Sequence, residues 1–312
     1  MSPPIQISRQ SGSWERAGFN RANAKAHRAA SFTLVEMMAA IAVLSILVLM
    51  FASMMSSTSA TVFSGNKHLT ADDQARLVLD RIQMDLARMP KRSDLYFQFL
   101  KQTGNDELTF YSETPGFFAG GTAAASESNL SLVSYQYTNT YELERLGQGC
   151  EWTDSNVAFS PTPTTAPTLN SSDFHLLSSS VFRLEIGFLI RQDATHLQIT
   201  ATAPTPGSQA FQNFVAVVVA IAVLDPQSEA MVNTNSYSTL IAALPDFPSP
   251  TIPSPQTISL ASTNAPNSGI TDPIMSNWNY IVNQPTTFAQ SAGIPVVAAQ
   301  QVRLYERIIY LQ

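Results

Sequence analysis

The first 90 residues fall into three stretches by polarity. Residues 32–52, FTLVEMMAAIAVLSILVLMFA, contain only three polar side chains, Thr33, Glu36 and Ser45. A helix rises about 1.5 Å per residue, so this run is about 30 Å long, one bilayer hydrocarbon core. The next stretch, SSTSATVFSGNKH, is polar and contains Gly65, and it predicts a frayed or kinked join. Then TADDQARLVLDRIQMDLARM repeats apolar residues at helical spacing: Ala75, Val78, Leu79, Ile82, Leu86 and Met89. Thr70 is the expected N-cap, with Asp73 three residues on. Asp72 and Asp73 then fall in a first turn, where the helix dipole favours them. Arg76 with Asp80, and Arg81 with Asp85, are i,i+4 pairs suited to an exposed face. No proline stands between Ile5 and Met89, so helix is permitted throughout, and Pro90 is the expected stop.

Beyond Pro90 the period changes from helical to two. LYFQFL (95–100) and ELTFYSE (107–113) flank Gly104-Asn105-Asp106 and read as a hairpin. LSLVSYQY (130–137) and YELERL (141–146) flank Thr138-Asn139-Thr140 and read as a second. VFRLEIGFLI (181–190) and HLQITAT (196–202), around Asp193, make a third. FQNFVAVVVAIAVLD (211–225) is apolar on both faces and reads as a central buried strand. Its clean apolar core, Phe214 to Leu224, is too short for a second membrane span. VRLYERIIYL (302–311) reads as a terminal strand. Residues 152–172 are rich in Thr, Ser and Pro and read as a loop. Residues 226–300 read as a longer loop region, with PDFPSPTIPSPQT prone to polyproline II and DPIMSNWNYIV, around Trp278, expected to pack back as a short helix.

Charge adds a direction to this order. Residues 1–31 carry Arg9, Arg16, Arg21, Lys25 and Arg28 against Glu15, a net +4, so the rest of the 312-residue chain carries −10 of the total −6. No basic face for nucleic acid is expected outside the leader. After the apolar run the next cation is Lys67. The positive-inside rule therefore places the N-terminus in the cytoplasm and the bulk of the chain outside. Charged residues make up only 13% of the chain, which suits an extracytoplasmic β-rich domain. The single cysteine, Cys150, cannot form an intramolecular disulfide, and it reads as a spare small residue.

Catalytic chemistry has little support in these residues. His27, His68, His175 and His196 show no metal-ligand spacing. FFAGGTAAAS (117–126) has glycines but neither the lysine nor the strand-to-helix context of a phosphate loop, and it reads as a plain loop. Glu142 and Glu144 share one strand face beside Arg145 and suit a solvated face better than a catalytic pair. No cofactor and no metal are expected, and the chain is not expected to be an enzyme.

Glu36 is the residue that the apolar run does not explain. A carboxylate in a transmembrane helix costs a few kcal/mol, less near the interface. One reading is a tolerated interfacial charge in an ordinary signal-anchor. The other is a charge that gains a partner when subunits pack.

SFTLVEMMAAIAVLSILVLM, after a basic leader, resembles the N-terminal motif of type IV prepilins and pseudopilins. In that family a small residue, usually Gly, precedes Phe-Thr-Leu-hydrophobic-Glu and an apolar helix. The resemblance implies cleavage by a prepilin peptidase between Ser31 and Phe32, and N-methylation of Phe32. Ser31 stands where Gly is usual, and the 31-residue leader is long for the family. The resemblance also makes Glu36 the fifth-position glutamate, which pairs with the N-terminal amine of a neighbouring subunit. A carboxylate and an ammonium attract strongly at low dielectric, and each offsets the desolvation of the other.

The implied organisation is a leader (1–31), a transmembrane and assembly helix (32–52), a helix continuation (53–89) and an extracytoplasmic β-rich domain (90–312). The implied fold class is α+β and pilin-like, a long N-terminal helix packed on an antiparallel sheet domain with long loops. The helix ARLVLDRIQMDLARM followed by a large β-rich region is most similar to the J-type minor pseudopilins of type II secretion. The terminal RLYERIIYL resembles the pilin-like cassette protein C family of verrucomicrobial gene cassettes. The implied function is a non-enzymatic minor pseudopilin or pilin-like subunit, single-pass in the inner membrane and entering a filament or tip complex. Its implied partners are the prepilin peptidase, other pilins or pseudopilins, an inner-membrane assembly platform and membrane lipid. The alternative is a membrane-anchored extracytoplasmic binding domain or enzyme with a signal-anchor.

Overall fold

A computed structural model describes residues 33–117, 127–149, 169, 171–194, 196–248, 256–259 and 273–311. The leader, Ser31, Phe32, His27 and Cys150 lie outside the described residues, as do most of 117–126 and 152–172 and much of the proline tract. The chain divides into two units, residues 1–58 and 59–312.

The first element is helix α1, Leu34–Ala87. In the first unit every described side chain from Thr33 to Thr58 is exposed, including Leu44, Leu47 and Phe51. Among the described residues this is the one helix long and apolar enough to cross a membrane. The frayed join expected at SSTSATVFSGNKH is not found, because helix α1 is assigned through it. Its hydroxyls turn back onto the helix instead of competing with it. Thr58 donates to the Met54 carbonyl at 2.9 Å and Thr70 to the Asn66 carbonyl at 3.0 Å. Thr70 is therefore an interior residue and not an N-cap. Asp72 and Asp73 are likewise interior, so the helix dipole does not account for them. The helix ends at Ala87, three residues short of Pro90.

In the second unit α1 buries one stripe: Ala71, Ala75, Val78, Leu79, Ile82 and Leu86, followed by Met89. Each large apolar side chain buried here contributes roughly 1.5–3 kcal/mol. The stripe packs on two sheets rather than the single one expected. The first is built from β1 (Phe97–Leu100), β2 (Glu107–Ser112), β3 (Gly116–Phe117), β4 (Glu127–Ser128), β5 (Ser131–Tyr137), β6 (Leu143–Gly149) and β7 (Phe174–Ser178). Its order is β1-β2-β5-β6-β3-β4, with β7 also on β6, and all its ladders are antiparallel except the short β3–β6 contact. The second is built from β8 (Val181–Arg191), β9 (His196–Thr200), β10 (Phe214–Val223), β11 (Gln256–Ser259) and β12 (Arg303–Tyr310). It is antiparallel, in the order β11-β9-β8-β10-β12.

The three expected hairpins are present as β1–β2, β5–β6 and β8–β9. Strand β6 starts at Leu143 and not at Tyr141, because Tyr141 turns the chain at φ +65° and stacks on Tyr237 at 5.4 Å. Strand β10 is central, as its two apolar faces predict. Val217, Val219, Ile221 and Val223 join the core under α1. Ala216, Val218, Ala220 and Ala222 join a second core on the opposite face. The small residues on that face let helices approach the sheet closely.

Those helices come from residues 226–300, so the expected loop region is corrected. It contains α3 (Pro226–Glu229), α4 (Tyr237–Ala242), α5 (Pro273–Val282), α6 (Pro285–Ala292) and α7 (Val296–Ala299), as well as β11. A further short helix, α2 (Gln209–Gln212), precedes β10. Leu240, Leu244, Ile274, Trp278, Phe288, Ala292 and Ala298 cover the second face of the sheet. The region looks like a loop by composition, but its apolar residues are spaced for short helices and find an uncovered sheet. The helix around Trp278 was legible, and Trp278 is fully buried with its indole N–H donating to the Pro245 carbonyl at 2.9 Å.

Polar contacts fix how α1 and β12 run together. Tyr305 donates to Asp72, Arg307 to Asp80 and also to Gln83 at 2.8 Å, and Arg303 to the His68 ring at 3.1 Å. Asp85 overturns one expectation. Its i,i+4 pair with Arg81, at 3.5 Å, does not lie on an exposed face, since the Asp85 side chain is fully buried. It accepts from Arg145 at 2.6 and 2.9 Å and from the Tyr135 hydroxyl at 2.5 Å. Ser112 donates to its carbonyl at 2.8 Å. This network docks α1 on the first sheet.

Candidate assembly site at the start of the long helix

Residues T-L-V-E open α1, and their local chemistry explains why the helix starts where it does. The Thr33 carbonyl accepts the first helical hydrogen bond, from Met37 N–H at 3.2 Å. Thr33 Oγ1 accepts from Glu36 N–H at 3.3 Å, and Glu36 Oε2 accepts from Thr33 N–H at 2.9 Å. This is a reciprocal capping box, with Thr33 at the N-cap and Glu36 at the third helical position. The Thr33 hydroxyl adds a second donor to Oε2 at 3.0 Å. Among the described residues, the carboxylate's hydrogen bonds fall on this one oxygen. The negative side chain also stands in the first turn, where the helix dipole favours it.

Sequence reasoning placed Glu36 correctly near the start of the apolar run but did not see that its own chain satisfies it. The signal was available as Thr followed three residues later by Glu, directly before an apolar run. Capping lowers the cost of the charge without abolishing it, since Glu36 and its neighbours Leu34, Val35, Met37 and Met38 are all exposed. Ser31 and Phe32 precede the described residues, so the structure does not bring them to Glu36 or keep them from it.

Residues 26–52 match the family described as the prokaryotic N-terminal methylation motif. The chain therefore carries a type IV prepilin-type N-terminal motif. The match takes in Arg28 at the end of the basic leader, Ser31, Phe32, Glu36 and the apolar run. No curated protein matches the chain. The prepilin motif implies processing by a prepilin peptidase and assembly with other pilins, and the apolar helix that follows it is long and apolar enough to serve as a single-pass membrane anchor. The fold beyond the motif, a long helix with antiparallel sheets, is the α+β architecture expected of a pilin-like subunit.

The other residues considered for chemistry are dispersed in this prepilin-type chain. His68 stands on α1 against Arg303, His175 lies in β7, and His196 pairs with Asp193 at 2.8 Å in the β8–β9 turn. Arg145, expected beside Glu142 and Glu144 on a solvated face, turns to Asp85 instead. Glu142 accepts from Thr140 at 2.9 Å and Glu144 from Gln136 at 3.3 Å. Among the described residues no group of His, Cys, Asp or Glu is arranged to hold a metal ion. Burial, and then the Asp85 carboxylate, push the Tyr135 phenol well above its ordinary range.

Proposed function

We propose that the chain is a non-enzymatic minor pilin-like subunit, a pseudopilin of a type II secretion or type IV pilus-like assembly. The observation that carries this reading is the prepilin motif placed directly on a capped apolar helix. Supporting it, the same element continues as the helix on which two antiparallel sheets are built. A low-copy position is favoured over a tiling one by the size of the domain, with its second sheet and added helical layer. The J-type minor pseudopilins and the cassette protein C family are the subtypes it most resembles.

In this reading the peptidase cuts between Ser31 and Phe32 and methylates the new terminus. The leader stays cytoplasmic, as its +4 charge dictates, and the domain faces the extracytoplasmic side of the inner membrane. Glu36 keeps Oε2 on its own helix and offers Oε1 to the N-terminal amine of a neighbour. The assembly platform and sister pilins then recognise the helix, and no cofactor takes part.

Two measurements test this on protein from its native membrane. Intact mass is expected to show loss of residues 1–31 and a methylated Phe32. Retention of the leader in every copy would refute the processing step and favour a signal-anchored domain. Glu36→Leu removes a membrane-unfavourable charge, so membrane residence is expected to be kept while crosslinking to partner pilins is lost. Normal crosslinking of that variant would return Glu36 to a helix cap with no role between subunits.

A further inference from the structure

The β1–β2 turn reaches across to the second sheet. Asn105 accepts from Leu184 N–H at 2.8 Å and donates to the Phe182 carbonyl at 3.1 Å. Asp106 N–H donates to the Leu184 carbonyl at 3.2 Å, and Asp106 Oδ2 accepts from Ile186 N–H at 2.8 Å. The chain after α4 closes the same joint from a third side. Gly104 N–H donates to Asp246 at 3.0 Å, and Phe247 N–H donates to Glu185 at 3.0 Å.

Five charged side chains meet inside this joint. Lys101 comes from the turn and bridges Asp106, at 3.1 Å, and Glu185. Arg183 and Glu185 sit two residues apart on one face of β8. Arg183 pairs with Glu185 at 2.8 Å and with Asp246 at 2.5 Å, donates to the Gly104 and Leu244 carbonyls, and lies 5.3 Å from the Trp278 ring. The side chains of Asp106, Glu185 and Arg183 are fully buried, while Asp246 and Lys101 keep some access to water. Three carboxylates thus face two cations. One oxygen of the surplus, Asp106 Oδ1, is buried without any hydrogen-bond partner. A buried carboxylate oxygen with no donor is costly, and one bound proton removes both the surplus charge and much of that cost.

We propose that Asp106 carries a proton in the closed joint, and that this joint is a pH-sensitive latch between the two sheets, tight with the proton bound and loosened when it leaves. The charged groups facing Asp106 are Lys101 of its own turn, Glu185 and Arg183 of β8, and Asp246 after α4. Burial, and then the Glu185 charge, push the Asp106 carboxyl up to about 7, against the opposing pull of Lys101 and the Ile186 N–H. That value lies above the ordinary one of 3.8, so the folded state binds the proton more tightly than the unfolded state. The contribution of Asp106 to stability therefore falls as pH rises from about 4 to about 7 and is level above that.

The test is hydrogen exchange with mass spectrometry on the full chain in lipid nanodiscs, corrected for the intrinsic pH dependence of exchange. Peptides covering residues 101–106 and 183–187 are followed from about pH 5.5 to about pH 8.5. Opening of these peptides is expected to increase about thirtyfold over that range in the native chain. Asp106→Asn, neutral at every pH, is expected to flatten the increase. Lys101→Met removes the cation that favours ionisation, so its midpoint is expected to move to higher pH, and this arm decides the matter if Asp106→Asn does not fold. A flat profile in the native chain, an unchanged slope in Asp106→Asn, or an unmoved midpoint in Lys101→Met each overturns the latch.

Discussion

Glu36 and Asp85 are two carboxylates on one helix, and they are satisfied in opposite ways. Glu36 is exposed and held by the residue three places before it. Asp85 is fully buried and held by Arg145, 60 residues away, and by Tyr135, 50 residues away. Both interrupt an apolar pattern. The difference is the reach of the partner. A local partner caps a helix and leaves the charge available to another molecule. A distant partner consumes the charge inside the fold and fixes how the helix docks.

The contrast predicts unequal responses to mutation. Asp85→Ala leaves the Arg145 guanidinium without its counter-charge and the Tyr135 hydroxyl without its acceptor. It is expected to destabilise the second unit by about 3–5 kcal/mol, measured by chemical denaturation of the full chain in detergent. A loss well under 1 kcal/mol would mean that the network is replaceable and that the apolar stripe alone docks α1. Tyr135→Phe keeps the ring and the ion pair and removes one hydrogen bond to a charged acceptor, so the expected loss is about 1.5–3 kcal/mol. The smallest effect is expected for Thr33→Ala, which removes one half of the capping box, at about 1 kcal/mol of helix stability. That loss should stay within the first turn of α1 and be read as faster amide exchange there, with no change in the denaturation midpoint of the second unit. Thr33→Ser should restore it. Spread of the effect to the second unit would break the separation between the two carboxylates.

Much of the fold was legible because its signals are short-range. The apolar run, the stripe from Ala75 to Met89, the three hairpins and the two-faced strand β10 are written as periodicities over fewer than two dozen residues. The start of α1 was legible too, since Thr33 and Glu36 are three residues apart, although their mutual capping went unread. Composition misled at residues 226–300, where prolines and serines conceal short helices whose apolar residues fill the second face of a sheet. Polarity misled at residues 53–69, where hydroxyls fold back on their own helix carbonyls.

The sequence by itself determined the prepilin motif, the anchor and the β-rich character of the domain, because a cleavage motif, a bilayer-length run and a strand period are properties of neighbouring residues. Tertiary structure alone decided that the strands divide into two sheets, and that Asp85 is a buried dock rather than an exposed pair. It also decided that Arg183 and Glu185, two unremarkable charges in a strand, sit in the joint with Lys101, Asp106 and Asp246. A charge shows its sign in sequence, but its energy depends on the distance to its partner and on the water excluded around it. Both are set only when segments from 50 to 142 residues apart are packed together.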